Sequence, residues 1–175
     1  MVDHIYEGFE KYEYALGVFI DLSKASDTVD HSILLRNLEL YGITDRNYAW
    51  IKGYLWNRLQ YIQIDENSRT EFCLVKCGVP QGSILGPLLF LLYINDLKNG
   101  SSVLDPIMFA DDTNLFYTHS NIQKLFSTMN EELASINQWF TSNKLSLNAN
   151  KTKYSFFHKA SKKYDFSYAT KVDYQ

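Results

Sequence analysis

From Ala15 to Leu22 every side chain is aliphatic, aromatic or absent except that of Asp21, so this stretch reads as a buried strand ending in a carboxylate. A second apolar stretch, Pro106 to Ala110, ends on Asp111-Asp112, and Thr113 to Thr118 follows as another strand. Both acidic positions are anchored to core-type neighbours, Phe109-Ala110 on one side and Leu115-Phe116 on the other. If the two strand regions are neighbours, Asp21, Asp111 and Asp112 converge. Two carboxylates held about 4 Å apart repel by about 4 kcal/mol at an effective dielectric of about 20. A bound divalent cation removes that cost, and hard oxygen donors with room left for water and phosphate suit Mg²⁺. The competing reading is three surface acids that never meet.

The intervening sequence alternates helical and turn signals. Ile5, Phe9 and Tyr12 recur at helical spacing. Ile33, Leu34, Leu38 and Tyr41 form a stripe after Asp30 that Gly42 ends, and a further helix is expected from Asp45 to about Trp56. Leu59–Asp65 and Glu71–Cys77 flank the polar turn ENSR and suggest a hairpin. Gly78-Val79-Pro80-Gln81-Gly82-Ser83 is a glycine-proline loop, stiff at Pro80 and open to close approach at its glycines. Ser83 is placed to cap a helix running through Leu97, with Pro87 in its first turn. Ser120 and Gln123 have the spacing of a capping box. Ahead of them lies a clean 3.6-residue stripe of Ile122, Leu125, Phe126, Met129, Leu133, Ile136 and Phe140, closed by Asn143. Lys153 to Phe157 reads as a last strand. The fold class that follows is α+β, with two helices on one face of a small antiparallel sheet and a helix-plus-hairpin insertion from about Asp45 to Cys77.

Charge and cysteine usage narrow the chemistry. The 175 residues are 46% hydrophobic, enough for one cored domain and too apolar for a disordered chain. The formal net charge is -3. Affinity for phosphate comes from Lys and Arg, so a chain with this balance either leaves the grip on a duplex to other parts or binds it weakly. Cys73 and Cys77, the only cysteines, lack the second pair that a zinc site needs and read as small core or strand residues. His4, His31, His119 and His158 have no ligand spacing. The N-terminal stretch carries charges throughout, unlike a signal peptide, and Ile84 to Ile94 is too short to span a bilayer. A soluble intracellular protein without a membrane segment is the expectation.

Three motifs in this order, FIDLSKASD around Asp21, GVPQGSILGP from Gly78 and FADD ending at Asp112, resemble the reverse transcriptases of non-LTR retrotransposons, the jockey-like group in particular. The resemblance covers roughly residues 14 to 158. It implies an RNA-directed DNA polymerase palm at 1–158, followed by an irregular tail at 159–175. It implies nucleotidyl transfer to a DNA primer on an RNA template, with dNTPs as substrates and two Mg²⁺ ions, or Mn²⁺ in their place. Asp21 and Asp111 are then the main metal ligands, supported by Asp112. Pro80, Gln81 and Gly82 lie against template and nucleotide. Lys151, in NKLSLNANKTKY, takes the place of the lysine that protonates departing pyrophosphate, with Lys153 as the other choice. The family has a Phe or Tyr five residues after the first catalytic aspartate, where the ring excludes a ribose 2′-hydroxyl; this chain has Ser26.

The resemblance also implies basic fingers before Asp21 and a thumb after Phe157, regions that these 175 residues have no room for. The alternative is a catalytically silent palm remnant with at most weak nucleic-acid binding.

Overall fold

The computed structural model describes residues 10, 11, 14–159 and 172, in the order β1 (Tyr14–Ile20), α1 (Ala25–Thr28), α2 (His31–Leu40), α3 (Asp45–Leu55), β2 (Leu59–Gln60), β3 (Cys73–Leu74), α4 (Leu85–Ile94), a 3₁₀ helix (Leu97–Gly100), β4 (Ile107–Phe109), β5 (Asp112–His119), α5 (Ile122–Ser142) and β6 (Lys153–Phe157). The chain divides into two compact units, 1–23 with 96–175, and 24–95. The helix expected around Ile5, Phe9 and Tyr12 and the tail at 159–175 lie, all but Glu10, Lys11, Lys159 and Val172, outside the described residues.

The first unit is an antiparallel sheet in the order β4-β5-β1-β6. Its centre is the apolar β1, hydrogen-bonded on both sides, as a strand with no polar residue must be to satisfy its backbone. Alternation sends Leu16, Val18 and Ile20 to one face, where all three are buried. Their cross-strand partners Leu115 and Thr113 are buried with them. Against this face packs α5, whose Leu125, Phe126, Met129, Leu133, Ile136 and Phe140 are all buried. The ring of Phe126 lies 5.9 Å from that of Phe156, the β6 partner of Leu16. Ile122, at the head of the stripe, is only half-buried.

The cap of α5 differs from the expected capping box. Asn121 is the N-cap, its side chain accepting from Lys124 N–H at 3.0 Å, because its short amide reaches back over the first turn. Asn143 closes the helix as expected.

The second unit holds α1 to α4 and the hairpin β2–β3. Asp30 caps α2 by accepting from the N–H groups of Ser32 and Ile33, and Gly42 follows the helix with a left-handed φ of 80°. In this unit α2 packs against α4 and against α3. That helix ends at Ile94 rather than Leu97, and the 3₁₀ helix takes over beyond it. The N-cap is Ile84, without a side-chain cap, rather than Ser83; Ser83, one residue earlier, still accepts at Oγ from Gly86 N–H at 3.0 Å and donates to the Pro80 carbonyl at 2.7 Å. The hairpin is shorter than expected, pairing Leu59 with Leu74 and Gln60 with Cys73, with one bridge between Gln63 and Arg69. Both cysteines are free thiols on the surface, not core residues, because the hairpin that carries Cys73 is exposed on both faces. Among the described residues no helix is long and apolar enough to cross a membrane.

Residues 78–83 are fastened to the segment around α1. Gly78 N–H donates to the Val29 carbonyl and Val79 N–H to that of Ser26, each at 2.8 Å. The buried His31 Nε2 lies 2.8 Å from the Gly78 carbonyl. Gly78 has φ 86°, and a Cβ there would sit 2.8 Å from the Asp27 carbonyl oxygen; Gly82 has φ 74° and open space around it. Replacing either by Ala costs about 1–2 kcal/mol from left-handed backbone alone. Gly78→Ala is expected to cost distinctly more than Gly82→Ala in urea denaturation, because it also displaces backbone; equal losses would count against the clamped geometry.

Burial raises the Tyr93 phenol to about 12, against about 10 when unfolded. Between these values the unfolded chain has lost the proton and the folded chain keeps it, so this tyrosine's share of stability is full below about pH 10 and disappears as pH rises through about 12. Tyr93→Phe is expected to flatten the alkaline fall of the urea midpoint over that window; an unchanged slope would contradict it.

Candidate active site

The first unit carries the carboxylates. β1 and β5 pair in a register whose last pair is Ile20 with Thr113, so Asp21 follows directly after β1 and Asp112 directly precedes Thr113. Alternation turns both away from the face that α5 covers, onto the side of Phe19 and Phe116, whose rings meet edge to face at 5.9 Å. β4 and β5 are joined at Ala110-Asp111, between the paired Phe109 and Asp112. Ala110 has φ 54°, a left-handed value that costs a non-glycine residue about 1–2 kcal/mol. Backbone strain of this kind persists where the surroundings over-determine the turn. Asp111 and Asp112 are both exposed. So is Phe109, at 80%: it is not the core residue expected, because β4 is an edge strand and Phe109 shares the outer face with Asp112.

Asp21 is held more tightly than its partners. Asn148 Nδ2 donates to Asp21 Oδ2 at 2.9 Å, and the Lys151 ammonium lies 3.9 Å from the same oxygen. The backbone joins in. Asp21 N–H donates to the hydroxyl of the buried Thr152, and the Asp21 carbonyl accepts from Asn148 N–H at 2.8 Å. A bridge between Leu22 and Leu147 and a bond from Ser23 N–H to the Ser146 carbonyl continue the contact. The turn itself is closed by bonds from the N–H groups of Lys151 and Thr152 to the Asn148 carbonyl. Lys153 points elsewhere, its ammonium reaching the Asn150 carbonyl at 3.3 Å.

Asn148 and Thr152 were not among the residues expected from sequence. The only local signal for them is the Leu145/Leu147 alternation just ahead of Asn148, and nothing in it names β1 as the receiving strand.

The donor chemistry, carboxylates at the meeting ends of β1, β4 and β5, suits a hard divalent cation, against which the Lys151 ammonium beside Asp21 would compete. Among the described residues, however, no group of three or more His, Cys, Asp and Glu side chains is gathered closely enough to hold a metal. The fit is one of backbone placement and ligand type. Thr113, between the two strands' carboxyl ends, is fully buried with no partner for its Oγ1 among the described residues.

The second unit gathers the other group of expected residues. Gln81 Nε2 donates to Asp27 Oδ1 at 2.6 Å. Together with the bond from Val79 to the Ser26 carbonyl, this brings Ser26, Pro80, Gln81 and Gly82 into one local structure. Beside it lies a groove of about 590 Å³ whose lining includes Asp27, Arg58, Lys76, Pro80 and Gln81.

Comparison with known proteins agrees with the motifs. Residues 5–174 match the family described as reverse transcriptase (RNA-dependent DNA polymerase). The chain is 31% identical over 159 residues to a probable RNA-directed DNA polymerase from transposon BS of Drosophila melanogaster, covering 87% of this chain and 17% of that protein. It is 28% identical over 158 residues to the RNA-directed DNA polymerase from mobile element jockey of the same species, with 86% and 17% covered. The chain thus spans about a sixth of the length of these relatives. Among solved structures, a telomerase from Candida albicans, in complex with a fragment of telomeric RNA, matches with a TM-score of 0.54 at 13% identity over 93% of this chain and 30% of that one, a likeness of fold alone. With a family match across nearly its whole length and the carboxylates at the ends of paired strands, this chain belongs to the reverse transcriptase family.

Proposed function

We propose that residues 1–158 form the palm of an RNA-directed DNA polymerase, of the non-LTR retrotransposon type, that extends a DNA primer on an RNA template. The observation that supports the reading is the β1–β5 register, which ends at the pair Ile20 and Thr113, with Asp21 next after β1 and Asp112 next before Thr113, beside the Asp111 turn. Asp21 and Asp111 would hold the metal ions, with Asp112 in support. Bound there, two Mg²⁺ ions, or Mn²⁺, would supply Lewis-acid activation of the primer 3′-hydroxyl and neutralise charge on the departing pyrophosphate.

The chain's own residues do the rest. Asn148 fixes the rotamer of Asp21 by occupying Oδ2. Lys151, 3.9 Å from the same oxygen, would deliver a proton to pyrophosphate, a role worth about 10²–10⁴-fold. The loop of Pro80, Gln81 and Gly82 would position template and nucleotide, held in shape by the bonds to Asp27 and Ser26.

A silent palm with weak nucleic-acid binding is the second reading, favoured by the net charge of -3 and by the lack of a gathered three-carboxylate cluster among the described residues. Extension of a primer on an RNA template separates the two. Mg²⁺-dependent extension is expected, abolished by Asp111→Asn and lowered about 10²-fold or more by Lys151→Ala. Asn148→Ala is expected to raise the Mg²⁺ concentration needed. No extension selects the silent palm, and extension indifferent to Asp111→Asn overturns the assignment of the site.

Ser26 generates a separate expectation. A serine leaves open the volume that an aromatic ring would fill over the sugar, so discrimination between dNTPs and rNTPs is expected to be poor. Ser26→Phe is expected to raise the preference for dNTPs about tenfold, a difference of about 1.4 kcal/mol. An incorporation ratio unmoved by the substitution would remove Ser26 from the sugar pocket.

A further inference from the structure

Asp27, in α1, is the one carboxylate among the residues lining the groove beside the 78–83 loop, and the catalytic reading uses it only to hold that loop in shape. Two cations, Arg58 and Lys76, line the same groove. Asp27 pairs with neither: among the described residues it has no ion-pair partner. Its carboxylate takes instead a hydrogen bond from the neutral amide of Gln81, Nε2 to Oδ1 at 2.6 Å. A bond from an N–H to an ionised acceptor is of the stronger, charge-assisted kind.

The backbone sets Asp27 up for this contact. Val79 N–H donates to the Ser26 carbonyl and Gly78 N–H to the Val29 carbonyl, each at 2.8 Å, so the loop is stitched to the chain on both sides of Asp27. At Gly78 the two backbones run so close that a Cβ would lie 2.8 Å from the Asp27 carbonyl oxygen. Gly78 and Gly82, both at positive φ, bracket the stretch that carries Gln81. The two side chains, 54 positions apart in sequence, therefore meet from anchored backbones.

An ionised carboxylate only accepts hydrogen bonds, so the amide can meet it only through its NH₂ group. Oε1, on the other arm of the planar amide, is thereby turned away from Asp27. Both residues are exposed, so burial does not choose between the two orientations of the amide. The hydrogen bond does. We infer that Asp27 is a positioning residue, which fixes the Gln81 amide so that a nucleotide or template base entering the groove meets it in one orientation instead of two. The inference rests on the proposed polymerase function for its ligand and not for the orientation itself.

Two measurements on the 175-residue chain test it. The first is the nuclear magnetic resonance signal of the Gln81 side-chain amide in isotope-labelled protein, identified by its loss in Gln81→Ala. One of its two protons is expected downfield of ordinary glutamine amides, and Asp27→Ala is expected to return it to their range. The second is primer extension on an RNA template. Asp27→Ala is expected to raise the nucleotide KM about two- to tenfold, the cost of ordering one freed side chain on binding, and to leave kcat little changed. Asp27→Asn, which keeps an acceptor oxygen but no charge, should restore much of the loss. Because Asp27 acts through Gln81, adding Asp27→Ala to Gln81→Ala should raise KM no further. A carboxylate that mattered only for stability or for the charge of the groove would act equally in both backgrounds, and that result overturns the inference. So does a wild-type Gln81 signal in the ordinary range, an observation that needs no Asp27 variant to fold. A chain that extends no primer sinks the polymerase reading, whereas a displaced Gln81 signal still upholds the orientation, so the two failures are told apart.

Discussion

The pairing of β1 with β5 on one side and β6 on the other is the interaction on which the carboxylate end of the molecule depends. A strand with no polar side chain between Ala15 and Ile20 is stable only with its backbone hydrogen-bonded on both edges and its buried face covered. The register satisfies the first need, and α5 supplies the second through six buried side chains. Because side chains alternate, burying Leu16, Val18 and Ile20 commits Asp21 to the opposite face, and pairing Ile20 with Thr113 commits Asp112 to stand beside it. A slip of one residue would turn both acids into the α5 interface, where an unpaired charge costs several kcal/mol. The packing that stabilises the sheet thus also aims its acids.

The segment 146–152 adds a second level of control. It reaches Asp21 through backbone bonds, the Asn148 amide and the Lys151 ammonium. A carboxylate with one oxygen so engaged loses rotamer freedom before any ligand arrives, which lowers the ordering cost of binding. Lys151 also offsets the charge of Asp21, whereas Asp111 and Asp112 remain exposed to solvent. In the other unit, the 78–83 loop is made rigid by different means: backbone bonds to Ser26 and Val29, the buried His31, and two glycines at positive φ. Each unit thereby holds a set of polar groups in shape by fastening a loop to a short segment distant in sequence.

Much of this was legible in the chain itself, and the errors have physical causes. The strands, α2 and the stripe of α5 follow from apolar periodicity, which is a local property. The cap of α5 was misplaced by one residue because Ser120 and Asn121 are both capping types, and only backbone direction decides between them. Phe109 has the residue type of a core position, yet it is exposed because β4 is the edge of the sheet and its outward position pairs with Asp112.

What the sequence by itself determined is the family, through three ordered motifs, together with the residue types at the site: carboxylates at strand ends, a glycine-proline loop, a lysine after the long helix. What only tertiary structure decided is which of those groups meet. Asn148 and Lys151 lie 127 and 130 residues from Asp21, and no local periodicity encodes such a pairing. It arises because β6, following α5 back along β1, carries the turn before it to the end of that strand.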